Sequence, residues 1–186
     1  IRNPEAGAES DPGSALQAEL RPYQRTGLDW LWFMTRLGLG ACLADDMGLG
    51  KTIQVIALLL VLKRGQKAEH DLDGDEPRSS VLVVPASLIA NWKSELERFA
   101  PSLRVLYAHP SETPAETLTE IARDPATRLA DYDLTITSYS MVSRLTWLKT
   151  PEWNLAILDE AQAIKNSGAR QTRSVKELRA IGIAPE

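Results

Sequence analysis

The sequence predicts a single α/β domain, a three-layer sandwich with a mostly parallel central sheet covered by helices on both faces. Three observations carry this expectation. Short apolar runs alternate with segments whose apolar residues recur at helical spacing. A glycine-rich stretch ending in Lys-Thr stands between one apolar run and a strongly apolar helix. The length of 186 residues suffices for one such domain, which would bury about 70% of the surface its unfolded chain exposes, and not for two.

The elements follow in order. Residues 1–19, rich at first in Gly, Pro, Ser and acids, read as a flexible leader, and the domain is expected over 20–180. Pro22 to Leu37 sets Leu28, Leu31 and Trp32 at helical intervals, so it is expected to be a helix with a buried stripe. Ala41 to Ala44 is a short apolar run after two glycines and reads as a buried strand. Thr52 to Lys63 reads as an almost wholly apolar helix. Residues 65–78 hold Glu69, Asp71, Asp73, Asp75 and Glu76 among Gly65, Gly74 and Pro77, and read as an acidic loop. The alternation then continues: strand Val81 to Val84, helix Leu88 to Phe99, strand Arg104 to Tyr107, helix Ala115 to Ala122. Next come strand Leu134 to Thr137, helix Met141 to Leu148, strand Leu155 to Leu158 and a last helix near Ala169 to Ala180. Residues 181–186 read as a truncated end.

Composition narrows the function classes. Hydrophobic residues at 44% and charged residues at 25% exclude a disordered, collagen-like or disulfide-scaffold chain. The single cysteine, Cys42, reads as a small core residue and fits either a reducing compartment or indifference to the redox environment. The apolar run ending at Leu62 is far short of the roughly 18 to 20 residues of a membrane span, so no membrane partner is expected. The chain begins with Ile1 and without a signal-peptide pattern, so it reads as cut from a longer one. The net charge of −4 says little about partners, because the acidic stretch alone carries five negative charges. Near the end Lys165, Arg170, Arg173, Lys176 and Arg179 face a single acid, Glu177. His70 and His109 have no partner at metal-ligand spacing. The five tryptophans, Trp30, Trp32, Trp92, Trp147 and Trp153, read as core anchors.

In a parallel sheet, ligands bind beyond the carboxyl ends of the strands, so the loops that follow strands hold the candidate chemistry. The first is Asp45-Asp46-Met47-Gly48-Leu49-Gly50-Lys51-Thr52, the second half of a phosphate-binding loop. Its glycines let backbone N–H groups wrap a phosphate, the following helix start adds partial positive charge, Lys51 reaches the β/γ oxygens and the Thr52 hydroxyl can bind Mg²⁺. The second is Asp159-Glu160-Ala161-Gln162 after the apolar run Leu155 to Leu158. Opposite a phosphate loop, Asp159 would hold Mg²⁺ and Glu160 would orient and deprotonate the attacking water.

With these two motifs, Leu20-Arg21-Pro22-Tyr23-Gln24, Val84-Pro85-Ala86-Ser87-Leu88 with Asn91-Trp92, and Thr137-Ser138-Tyr139 make five motifs in order. Together they resemble the first, RecA-like motor lobe of the Swi/Snf-type ATPases, superfamily-two helicase-like translocases on double-stranded DNA. The wording Asp-Glu-Ala-Gln-Ala-Ile-Lys-Asn is more similar to bacterial members, which implies a cytoplasmic, nucleoid-associated protein. The resemblance implies ATP and Mg²⁺ as cofactors, bound by Arg21, Tyr23, Gln24 and residues 46–52, with Gln24 reading adenine. It implies DNA backbone contacts by Pro85, Ala86, Ser87 and Leu88 and by Thr137, Ser138 and Tyr139. Gln162 resembles the residue that couples the nucleotide site to a second RecA-like lobe, itself absent from this sequence. Taken alone, Ser87 and Thr137 read more readily as helix caps than as DNA contacts. Two other readings stay open at this point: a nucleotide- or DNA-binding fragment without catalysis, and a phosphate-loop ATPase of the transporter or clamp-loading type.

Overall fold

The computed structural model describes residues 9–41, 43, 50–73, 78–161 and 170–185, with side chains except at 69–73 and 181–185. Among them helix α1 spans Pro22–Arg36 and α2 spans Lys51–Asp73. Strand β1 (Ser80–Val84) leads through a 3-10 turn, Ala86–Leu88, into α3 (Ile89–Phe99). Strand β2 (Val105–Tyr107) is followed by α4 (Ala115–Arg123) and α5 (Pro125–Leu129), then by β3 (Leu134–Ser138) and α6 (Tyr139–Arg144). Strand β4 (Glu152–Leu158), α7 (Arg170–Lys176) and β5 (Arg179–Pro185) complete the described elements.

The five strands form one all-parallel sheet in the order β2-β3-β1-β4-β5. Alternation along the strands divides the core into two layers, because successive side chains of a strand point to opposite faces. Leu82 and Val84 of β1, with Leu134, Ile136, Leu155 and Ile157, pack against α1, α2 and α3. Val81 and Val83, with Leu106, Ala156 and Leu158, pack against α4, α6 and α7 through Leu118, Ile121, Val142 and Val175. This is the expected three-layer sandwich, and it explains why β1 is apolar at nearly every position: it is buried on both faces.

Several boundaries differ from the expectation. Helix α2 does not stop at Lys63 but runs to Asp73, so the first half of the predicted acidic loop is helical. Residues 64–73 contain no proline, and Gly65 alone is too weak a breaker to end a helix already anchored by the buried run Val55 to Val61. The expected helix over 141–148 is split: α6 ends at Arg144, Leu145 leaves the helical region, and a 3-10 turn Thr146–Lys149 follows. The last predicted helix ends at Lys176, and residues 179–185 form strand β5, paired with β4 from Glu152↔Arg179 to Leu158↔Pro185. Ile181-Gly182-Ile183 is poor helix sequence, and the exposed edge of β4 offers it a ladder. Residues 9–19 are docked rather than flexible. Ser10 Oγ donates to Asp29, Gln17 N donates to Phe99 O at 2.8 Å, and Leu16 joins the core. Of the tryptophans, Trp92, Trp147 and Trp153 are buried, but Trp30 is exposed. It lies about 200° around α1 from the buried Leu28. The predicted strand at Ala41 to Ala44 lies largely outside the described residues, as do Cys42 and the leader before Glu9, although Ala41 and Leu43 are buried. No helix among the described residues is long and apolar enough to cross a membrane.

At the edge where the strands begin, Asp133 ties three elements together. Its carboxylate accepts from Lys63 Nζ at 2.8 Å, from Arg104 N at 2.7 Å and from Arg104 Nη2 at 3.2 Å. Burial pushes its pKa up, but the hydrogen bonds from Lys63 and Arg104 outweigh that and hold it below the ordinary value. A depressed folded-state pKa means stability that is present above the unfolded value of roughly 3.9 and lost as pH falls through the folded value. Asp133→Asn should therefore lower stability by about 1–3 kcal/mol at pH 7. Urea unfolding should show the gap from the parent chain closing as pH falls below about 4. Gly65, helical and with open space where a Cβ would stand, gives the opposite sign. Gly65→Ala should raise the unfolding free energy by roughly 0.5–1 kcal/mol in the same assay.

Candidate nucleotide and DNA site

Because every strand runs the same way, the loops after β1, β3 and β4 open at one edge, and β1 lies between β3 and β4 in the sheet. The start of α2 reaches this same edge. Lys51 and Thr52 are its first residues, half-buried, where the unpaired N–H groups of a 23-residue helix carry partial positive charge. The loop before them, with Asp45, Asp46, Met47, Gly48 and Leu49, lies outside the described residues, as does Gln162.

Gly50 is held in the left-handed region at φ +76°, and a Cβ there would collide with Gln24 Nε2. The backbone angle therefore favours glycine, and a Cβ would also displace the end of the glutamine side chain. Gln24 is buried, and its Oε1 accepts from the Arg21 backbone N–H at 2.9 Å, which closes the first turn of α1 as a capping interaction. The sequence expected Gln24 to read adenine; the structure adds that its amide abuts the end of the phosphate loop. Tyr23 is exposed, and Arg21 is exposed beside it.

Asp159 follows β4 and is held by three neighbours. Its N–H continues the ladder to Val83 O at 2.9 Å, its Oδ2 accepts from Trp92 Nε1 at 2.7 Å, and its carbonyl accepts from the Tyr139 hydroxyl at 2.7 Å. Glu160, next in the chain, adopts φ +53°, the one non-glycine residue with positive φ among those described. Across from Asp159 on α3 stands Glu95. Its carboxylate accepts from the Thr52 hydroxyl and from Asn91 Nδ2, the latter at 3.3 Å. Burial pushes the Glu95 pKa up, the negative charge of Asp159 adds to the rise, and the hydrogen bonds from Asn91 and Thr52 oppose it. The Thr52 hydroxyl, the Asp159 carboxylate and the nearby Glu95 make an all-oxygen set with excess negative charge. That chemistry fits a hard divalent cation such as Mg²⁺.

The DNA-assigned residues divide. Ala86 and Ser87 are exposed, and Pro85 and Leu88 are half-buried at the site edge. Neither the 3-10 turn nor α3 takes a side-chain cap from Ser87, so the capping alternative does not hold for it. Thr137 and Ser138 are buried. The Thr137 hydroxyl donates to Ala108 O at 3.0 Å, and Ser138 caps α6 by accepting from Met141 N at 3.4 Å. Tyr139 is buried as well. All three side chains turn inward and support the loop rather than project from it. Sequence reasoning missed Glu95 and the hydrogen bonds from Trp92 and Tyr139 to Asp159. The one available signal was spacing, since Asn91, Trp92 and Glu95 lie on neighbouring faces of one helix.

A parallel sheet with Lys-Thr opening α2 and an Asp-Glu pair directly after β4 defines a phosphate-loop type of nucleotide-binding lobe. A model of the SNF2-related domain matches residues 23–181. Among curated relatives, YwqA of Bacillus subtilis, a protein named for ATP-dependent helicase/translocase activity, is 38% identical over 170 residues. That match covers 90% of this chain and 17% of YwqA. The chromatin-remodeling ATPase INO80 of Cryptococcus neoformans is 39% identical over 185 residues, covering 96% of this chain and 10% of that protein. Among solved structures, the SWI2/SNF2 ATPase core of Sulfolobus solfataricus in complex with dsDNA superposes with a TM-score of 0.73 at 38% identity. It covers 92% of this chain and 32% of the solved one. The chain belongs to the SNF2-related family. It spans less than a fifth of the curated relatives it matches and about a third of the solved core.

Gly50→Ala should test the local geometry. It should weaken ATP binding by about tenfold or more, on the basis of 1–3 kcal/mol of backbone strain together with the displaced Gln24. Titration with a fluorescent ATP analogue would show this, and unchanged affinity would contradict it.

Proposed function

We propose that this chain is the first motor lobe of a DNA-dependent ATPase that moves along duplex DNA, binding Mg²⁺-ATP and completed by a second lobe. The observation that supports the reading best is the meeting of Thr52, Asp159 and Glu160 at one edge of the sheet, in a chain of the SNF2-related family. Lys51 would hold the β/γ oxygens of ATP, with the α2 N-terminus adding favourable potential. Thr52 and Asp159 would hold Mg²⁺, which when bound neutralises charge on the phosphates. Glu160 would orient the attacking water and take its proton. Gln24, fixed by its bond to the Arg21 N–H with its amide against Gly50, would read adenine. The exposed turn at Ala86 and Ser87 supplies backbone N–H groups and a hydroxyl of the kind that contact DNA phosphates without reading sequence. The DNA-bound relative from Sulfolobus supports that part of the reading.

In the full-length protein, Lys51→Ala should remove DNA-stimulated phosphate release, and Glu160→Gln should keep ATP binding within about threefold while slowing turnover by 10²-fold or more. Retained activity in either variant would overturn its assignment. Arg170 and Arg173 are exposed on α7, while Thr172, Ser174 and Val175 of the same helix are buried. Replacing both arginines by Glu should weaken DNA binding and flatten its salt dependence. A variant that binds DNA as the parent does at every salt concentration would return this face to plain surface.

A further inference from the structure

The helix opened by the turn after β1 and the segment that follows β3, both within motifs expected on the DNA side, each send one buried donor to the same acidic residue. Trp92 lies four residues after Leu88, on the helix that the exposed Ala86-Ser87 turn opens. Its side chain is 2% exposed, and its indole N–H donates to Asp159 Oδ2 at 2.7 Å. Tyr139 directly follows Ser138 at the end of β3, is 4% exposed, and donates its hydroxyl to the Asp159 carbonyl at 2.7 Å. An indole N–H can only donate, so it favours an acceptor carboxylate oxygen and leaves Oδ1 free to face a ligand. The carbonyl of Asp159 belongs to the same peptide unit as the N–H of Glu160. Holding that carbonyl fixes the plane against which Glu160 takes its φ of +53°, a left-handed conformation that costs a non-glycine residue free energy and persists only when its surroundings hold it.

We propose that Trp92 and Tyr139 are positioning residues that pass DNA engagement to the hydrolysis site. Trp92 sets the rotamer of the Asp159 carboxylate from the β1 turn, and Tyr139 sets the peptide that orients Glu160 from the β3 turn. This rests on the reading of Asp159 and Glu160 given under the proposed function. It goes beyond that reading in saying how contact at the DNA edge reaches the nucleotide. A shift of either turn moves a donor that has no slack: both are buried and both bonds are short. Asp159 follows β4, which lies next to β1, and β3 lies on the other side of β1, so each donor reaches Asp159 through one side chain.

The test uses the full-length protein with a 40-base-pair DNA duplex. Tyr139→Phe removes one hydroxyl with no change in ring shape. It should leave DNA affinity and ATP affinity within about twofold, while the ratio of DNA-stimulated to basal turnover falls about tenfold or more. Trp92→Phe, or its benzothiophene isostere if the phenylalanine variant folds poorly, should raise the Mg²⁺ concentration for half-maximal binding of a fluorescent ATP analogue about tenfold. Nucleotide binding without Mg²⁺ should not change. Tyr139→Phe with an unaltered stimulation ratio, or loss of the indole N–H with an unaltered Mg²⁺ requirement, would overturn the proposal for that residue. Asp159→Asn separates the two levels. If it keeps Mg²⁺-dependent binding, the reading of the site itself fails. If it loses that dependence while the Trp92 and Tyr139 variants behave as the parent, only the coupling fails.

Discussion

Parallel pairing is the constraint on which the rest of this structure depends. A strand that runs the same way as its neighbour cannot be reached by a tight hairpin, so each connection must cross a face of the sheet, and here helices do so on both sides. All loops that leave strands then gather at one edge. That is why a turn after β1, another after β3 and the acidic pair after β4 stand next to one another although they are far apart in the chain. At the opposite edge the same constraint gathers the strand starts, and Asp133 there joins α2, β2 and β3 through Lys63 and Arg104.

At the open edge the supporting bonds are made mostly by residues from which sequence reasoning expected ligand contacts. Thr137 and Ser138 spend their hydroxyls on Ala108 and on the first turn of α6, and Tyr139 on Asp159. These bonds hold the loop backbone in place, and a pre-ordered loop costs little entropy on binding. Gln24 works similarly: one half of its amide closes a helix turn, and the other half lies against Gly50. Glu95 adds negative charge beside Asp159 and Thr52, and its raised pKa reflects burial together with that repulsion. Charge of this sign in a half-buried place favours a bound cation over an empty site.

Much of the fold was legible because helix and strand periods are written in consecutive residues. The buried stripe of α1, the apolar run of α2 and the continuous burial of β1 and β3 all follow from local pattern. What failed was local pattern without a local consequence. Residues 179–185 become a strand because β4 has a free edge, and residues 9–19 dock because the outer sides of α1 and α3 offer Asp29 and the Phe99 carbonyl. Neither partner could be named from the segment itself. Trp30 shows the converse: its residue type suggested the core, and its angle around α1 put it outside.

Taken by itself, the sequence determined the chemistry available to this protein: Lys51 and Thr52 at a helix start, Asp159 and Glu160 at a strand end, and the α/β alternation that puts them after strands. It could do so because residue type and short spacing decide charge, hydrogen-bonding capacity and local backbone state. Only the tertiary structure decided that β1 lies between β3 and β4, and so that Trp92 and Tyr139, 67 and 20 residues away from Asp159, become its hydrogen-bond partners. Strand order is set by the packing of distant segments against one another. No window of consecutive residues contains it.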